Sequence, residues 1–282
     1  MQRIDELYEI IHQAEAQSIP PGGAYPGAGG YRVKTIRSGA LTECEIYPFW
    51  YTASDRKRIR KNTGTRSAQQ KLNEINSIKQ LSRLINVNFT EQDIWLTLTY
   101  DRQHLPADYS TAARDSSNYI RRLRRAHAAS GSTEPLRYII VTETRDMDGE
   151  PVRAHHHIVV NFRDRDAAEK LWTKGGRTQS RRLQPDNFEY TGLANYLGKQ
   201  GTAKDGAKVT RRWRGSRSLK RPKVTTADKK ITRRRVEKLA AMSEQERAQF
   251  FERLYPGCRY LDCKIRYSDY VPGAYISVRL RR

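Results

Sequence analysis

Cysteine, acidic side chains and long apolar runs are all scarce in this chain. Its three cysteines, Cys44, Cys258 and Cys263, are odd in number and include no Cys-x-x-Cys pair. Neither a disulfide framework nor a zinc knuckle is supported, and a reducing cytoplasm is the expected compartment. No apolar run is long enough for a membrane-spanning helix, and the opening residues Met1, Gln2, Arg3, Ile4, Asp5 and Glu6 lack the apolar core of a signal peptide, so secretion is not signalled. A Gly-x-x-x-x-Gly-Lys-Ser/Thr phosphate loop is missing too, so the chain is not expected to be its own helicase. No internal repeat is visible.

The shortage of acid has its counterpart in an excess of base. Across 282 residues, 53 Lys and Arg face 31 Asp and Glu, a net charge of +22. A polyanionic partner follows, and because the basic residues are interleaved with aromatics, nucleic acid fits better than a membrane surface. Residues 201 to 235 are the most basic stretch. Arg211, Arg212, Trp213, Arg214, Arg217, Lys220 and Arg221 fall within a run that is poor in periodic apolar residues and reads as a loop ordered by a phosphate backbone, with Trp213 able to stack on a base. Arg121, Arg122, Arg124 and Arg125 form a second stripe on a helix, solvated or phosphate-facing.

Residues 31 to 37 and 40 to 48, around Ser38 and Gly39, read as a β-hairpin, and residues 258 to 267 and 274 to 281 as another. Between them, residues 67 to 89 predict an amphipathic helix, 94 to 100 a strand, 110 to 129 a helix, 138 to 144 and 153 to 161 a pair of strands, 165 to 172 a helix, 178 to 183 a short strand and 187 to 200 a short helix. Gly192 and Gly198 weaken that last helix, so tertiary packing must hold it. The order predicts an α+β fold: a ferredoxin-like, RRM-like antiparallel sheet with helices on one face, plus terminal β-hairpins and basic helical segments. The expected division is a flexible segment over 1–30 with a short helix near residues 3 to 17, a main domain over 31–225 with its core at about 90–200, and a basic C-terminal part over 226–282 whose hairpin packs with the N-terminal one.

Half of the six histidines stand in a row at His155, His156 and His157. Along a strand, side chains two apart share a face, so His155 and His157 project together and His156 the other way. If the hairpin turns around Gly149, Glu143 lies across from His155 on the same face and adds a carboxylate to the two imidazoles. Such a group has the makings of a metal site, whereas an isolated His-x-His pair on a strand is more often a solvated edge. Tyr196 and Lys199, three residues apart, share one helix face. Tyr190 is a rival for a reactive tyrosine, but Leu193 rather than a lysine follows it three residues on.

Trp95 to Tyr100, His155 to His157, and Tyr196 to Lys199 occur in the order and spacing of three motifs, and through them the chain resembles the HUH endonuclease superfamily. The likeness is to rolling-circle replication initiators of small single-stranded-DNA phages and plasmids. It spans about residues 90 to 200, and the basic run from Arg211 looks like the stretch that follows the third motif in phage-type members. His156 departs from the bulky hydrophobic residue usual between the paired histidines.

The resemblance implies a divalent cation, Mg²⁺ or Mn²⁺, on His155, His157 and Glu143. It implies attack by Tyr196 on a scissile phosphate to give a 5′-phosphotyrosine and a free 3′-hydroxyl. Lys199 would favour the phenolate, stabilise the transition state or position the metal. The implied partners are single-stranded or hairpin origin DNA and a host helicase and polymerase, in the cytoplasm of a bacterial host. Two other readings compete: a non-catalytic single-stranded nucleic-acid-binding protein, and HUH chemistry used for transposition or mobilisation.

Overall fold

The computed structural model describes residues 29–50, 67–145, 151–200, 213–267 and 273–282. The helix expected near residues 3 to 17 lies outside the described residues. The chain divides into two units, Met1–Ser77 with Pro222–Arg282, and Ile78–Arg221.

The first unit is built on a five-stranded antiparallel sheet. Strands β1 (Gly29–Ser38) and β2 (Leu41–Trp50) form a hairpin, and β10 (Ala274–Arg281) joins β2 while pairing with β9 (Arg259–Tyr267). Neither hairpin could bury a core alone; joined, they give Cys44, Ile46, Ile276 and Val278 a common apolar face. That face packs against Val236 and Leu239 of α5 (Arg233–Ala241) and Phe251 of α6 (Glu244–Leu254). Ser243 and Glu246 form the capping box that opens α6. Two details differ from the sequence reading. Ser38 pairs with Leu41, so the turn is Gly39 and Ala40, with Gly39 at a positive φ of 62° that a side chain resists. Residues 223–231, read as loop, form strand β8 (Lys223–Ile231) against β1, because pairing with an existing edge orders a segment whose own apolar pattern is weak.

The second unit holds the expected α+β core. Its sheet runs β6-β3-β5-β4-β7, where β3 is Ile94–Thr99, β4 Tyr138–Arg145, β5 Pro151–Val160, β6 Thr178–Arg182 and β7 Arg214–Gly215, all pairs antiparallel. A helix follows β3, namely α2 (Tyr109–Ala129), and another follows β5, namely α3 (Arg165–Lys170). This is the ferredoxin-like β-α-β-β-α-β arrangement. Period-two alternation sorts each strand between two apolar layers. Ile94, Leu96, Leu98, Ile158 and Val160 meet Tyr119, Ile120 and Leu123 of α2. On the other face, Ile139, Val141 and Val159 meet Leu81, Leu84 and Ile85 of α1 (Ser67–Asn88) and Ala194 and Leu197 of α4 (Thr191–Gln200). Helices thus cover parts of both faces rather than one. The valines and isoleucines on β4 and β5 need a second apolar layer, each such burial contributing about 1.5–3 kcal/mol.

His156 belongs to the first of these layers. It is fully buried, with Tyr100 Oη 2.8 Å from its Nε2 and Thr142 Oγ1 2.9 Å from its Nδ1. Ring contacts with Tyr100 and Trp172 complete the packing. The imidazole fills a bulky apolar position because both nitrogens find hydroxyls.

Burial, then the neighbouring His155, Arg214 and His157, push the His156 pKa down to about 3. The unfolded chain takes up this proton near pH 6.5, at about the free-histidine value, and the folded chain does so only near the depressed value. Through that window the unfolded state binds more protons, so stability falls as pH is lowered. His156→Leu should cost about 1–3 kcal/mol at neutral pH by orphaning two hydroxyls. It should also lose less stability than the parent between about pH 7 and pH 5, as read from urea midpoints. Parallel pH profiles would refute this assignment.

Candidate metal and tyrosine site

The pairing register of the central strands builds the site. Glu143 on β4 stands opposite His155 on β5, and His157 stands opposite Thr97 on β3. Residues 146–150, where the turn is expected, lie outside the described residues, and the register shifts between Glu143 and Arg145, yet the Glu143 to His155 pairing holds. Glu143 Oε2 is 3.1 Å from His155 Nε2, and Glu143 Oε1 is 3.4 Å from His157 Nε2. One ligand atom from each of the three residues lies within 4.8 Å of the others.

These three residues fit a divalent cation. Glu143 Oε1 and His157 Nε2 are both buried and lack a hydrogen-bond partner, although they face each other. Two orphaned polar atoms in one buried group are costly unless something satisfies both. The ring orientations agree. His155 Nδ1 lies 2.9 Å from the Arg153 carbonyl oxygen, to which it can only donate, so the neutral ring turns its Nε2 lone pair, and the protonated ring an N–H, towards the group. Thr97 Oγ1 lies 3.1 Å from His157 Nδ1 and can hold that ring in the same tautomer. Such an imidazole and carboxylate set could hold a metal ion.

Charge is divided unequally within the group. Burial works against a charged His155, but its hydrogen bonds to Glu143 and the Arg153 carbonyl, with the Glu143 charge, outweigh burial and raise its pKa. His157 lacks such a bond; burial, then the charge of His155, pushes it down to about 4.

Tyr196 rises from α4 over this group. Its ring is edge-on to His157 with centroids 5.6 Å apart, and to Trp95 at 5.7 Å. Its side chain is 42% exposed. Tyr190 is buried in the second apolar layer, and burial, then Glu189 and nearby acids, pushes its pKa up to about 12. The exposed tyrosine is therefore the one beside the histidines. The Lys199 side chain, Arg211 and Arg212 lie outside the described residues.

The remaining basic residues are dispersed. Arg217, Lys220 and Arg221 are exposed. Trp213 packs on the second apolar layer, and the Arg214 guanidinium bonds to Ser116, Ser117 and the Ala113 carbonyl of α2, which occupies it internally. Arg122 donates to the Leu171 carbonyl, and Arg121 is exposed; both sit on α2, across the sheet from the Glu143 group. Sequence reasoning missed Thr97 and Trp95 as site neighbours. Their alternation on β3 was visible, but the partner that gives it meaning is 60 residues away from Thr97.

Mn²⁺ should stabilise the parent chain by about 2.7 kcal/mol at a hundredfold excess over its Kd, read as a raised unfolding midpoint, and Glu143→Gln should lose the effect. The gain should shrink as pH falls, since the raised pKa of His155 lets a proton compete for its nitrogen. An equal gain in the variant would place the cation elsewhere. The seating of α4 can be tested separately, because a Cβ on Gly198 would overlap Ile78 Cγ1 of α1. Although alanine is the better helix former, Gly198→Ala should destabilise the chain by about 1–3 kcal/mol. Ile78→Ala added to it should recover part of that loss in thermal unfolding; no recovery would refute the close approach of α4 and α1.

Searches against curated proteins and against solved structures found no match. Residues 93–201, less than half of the chain, match the family described as Replication-associated protein ORF2. That span contains Glu143, His155, His157 and Tyr196, and the match supports a replication-initiator role for the chain.

Proposed function

We propose that this chain initiates rolling-circle DNA replication by nicking one DNA strand and holding its 5′ end on Tyr196. The observation that carries the reading is the exposed Tyr196 ring standing edge-on to His157, beside a group of buried Glu143, half-buried His155 and buried His157 suited to a cation. A divalent ion there, Mg²⁺ or Mn²⁺, would supply Lewis-acid stabilisation of the charge that develops on a non-bridging phosphate oxygen.

The chain's own residues supply the rest. Tyr196 Oη forms a bond to phosphorus as the bond from phosphorus to the 3′ oxygen breaks; the phenol gives up its proton and the departing oxygen takes one to become a hydroxyl. The product ester keeps the energy of the broken bond, so the reverse reaction rejoins the strand without ATP, and the 3′-hydroxyl can prime a polymerase. A free tyrosine ionises near pH 10, so a nearby cation aids attack at neutral pH. Lys199, one turn along α4, is proposed to give that help or to offset transition-state charge. Arg217, Lys220 and Arg221, with Arg211 and Arg212, are proposed to hold the phosphates of a single-stranded or hairpin origin. Trp213 would contribute from its packed position at the edge of this segment. Strand separation would fall to a host helicase, in the cytoplasm of a bacterial host.

Incubation with labelled single-stranded DNA and Mn²⁺, followed by a denaturing gel and mass spectrometry, should give a covalent adduct on the peptide containing Tyr196. Chelator and Tyr196→Phe should abolish it, and Tyr190→Phe should keep it. Salt-sensitive DNA binding without any adduct would replace this reading with that of a non-catalytic binding protein.

A further inference from the structure

A cavity of about 650 Å³ opens beside Tyr196. Trp95, Arg165, Arg181, Arg182, Leu193 and Tyr196 line it, whereas Glu143, His155 and His157 do not. Its walls carry three arginines and no carboxylate. The size is that of a small-ligand cleft, of order 300–1,000 Å³.

Two of the arginines are already engaged. Arg165 donates to Ser180 Oγ and to the Ser180 carbonyl, and Arg182 to the carbonyls of Gln92 and Arg163. Arg181 is exposed on β6, the edge strand, and its guanidinium makes no hydrogen bond or ion pair among the described residues. The register places it directly opposite Trp95. Residues paired across antiparallel strands share a face, so a guanidinium and a half-buried indole stand side by side next to the exposed tyrosine. A flat aromatic wall with an uncommitted guanidinium and no opposing acid is chemistry for a base and its phosphate.

We infer that this cavity is the subsite for the nucleotide on the 3′ side of the nick, the one that stays on the protein. The inference rests on Tyr196 being the nucleophile. In-line attack expels the 3′ oxygen on the side of phosphorus away from Tyr196, so the departing strand end lies beyond the phosphate. The retained nucleotide is joined through its 5′ oxygen to the phosphorus that Tyr196 holds, and therefore lies beside the tyrosine, where the cavity is. Arg181 holds that nucleotide's 3′ phosphate and Trp95 the face of its base. Arg181 is thus a positioning residue that keeps the 5′ end in place until rejoining.

The test uses a mapped nick and two oligonucleotides. One is the 5′ half, ending in a 3′-hydroxyl; the other is the 3′ half, starting with a 5′-phosphate. Binding of each is measured to the full chain carrying Tyr196→Phe, with and without Arg181→Ala. Loss of Arg181 should weaken the 3′ half about tenfold, as expected for one charge-assisted contact, and leave the 5′ half nearly unchanged. Trp95→Phe, which keeps an aromatic wall, should retain most of the affinity for the 3′ half. Equal weakening of both halves would reduce Arg181 to general electrostatic attraction and overturn the inference, as would no weakening at all. With Tyr196 intact, failure of the parent chain to form any adduct would overturn the nuclease reading and this subsite together. An adduct without an Arg181 effect overturns the subsite alone.

Discussion

The site depends on the register of three antiparallel strands. Because the side-chain period along a strand is two, a one-residue slip of β5 against β4 would turn His155 and His157 into the α2 layer and bring His156 out in their place. Two apolar layers forbid that slip. Ile158 and Val160 must face α2, and Val159 must face α1 and α4. The register that buries these residues is also the one that sets Glu143 across from His155 and Thr97 across from His157. Packing on a scale of several kcal/mol thereby holds a polar group that on its own would be a net cost.

His156 shows the same constraint from the other side of the sheet. A polar ring between two site histidines is tolerable because Tyr100 and Thr142 project into the same layer and saturate both of its nitrogens. Those hydrogen bonds anchor β5 to the core directly behind His155 and His157. The two site rings are therefore carried by a strand whose middle residue is clamped, which limits how far they can move apart.

Much of this was legible in the sequence, and the limits have physical causes. Alternation marked β3, and the local hairpin placed Glu143 opposite His155, since sequence-adjacent strands joined by a turn have few possible registers. The pairing of β3 with β5, and with it the roles of Thr97 and Trp95, needed long-range contacts that no local pattern encodes. Strand β8 was hidden for a related reason: its residues are mostly exposed and pair with a hairpin almost two hundred residues away. The run from Arg211 read as uniformly basic, yet Arg214 turns inward to Ser116 and Ser117 of α2 while Arg217 and Arg221 stay exposed. Composition counts charges; only the fold says which of them are already engaged.

Helix α4 sets where Tyr196 stands. Ala194, Leu197 and Gly198 form its inward stripe, and the missing side chain at Gly198 is what lets the helix lie against Ile78 of α1. At 3.6 residues per turn, an inward stripe at 194, 197 and 198 leaves position 193 on a flank and turns position 196 further towards the outer face. Leu193 and Tyr196 both line the cavity. A tyrosine one position earlier would point to a different flank, and one at 197 would be sealed in the apolar layer, as Tyr190 is. The hydroxyl that is both near His157 and open to solvent can therefore come from few positions on this helix, and position 196 is the one that carries a tyrosine.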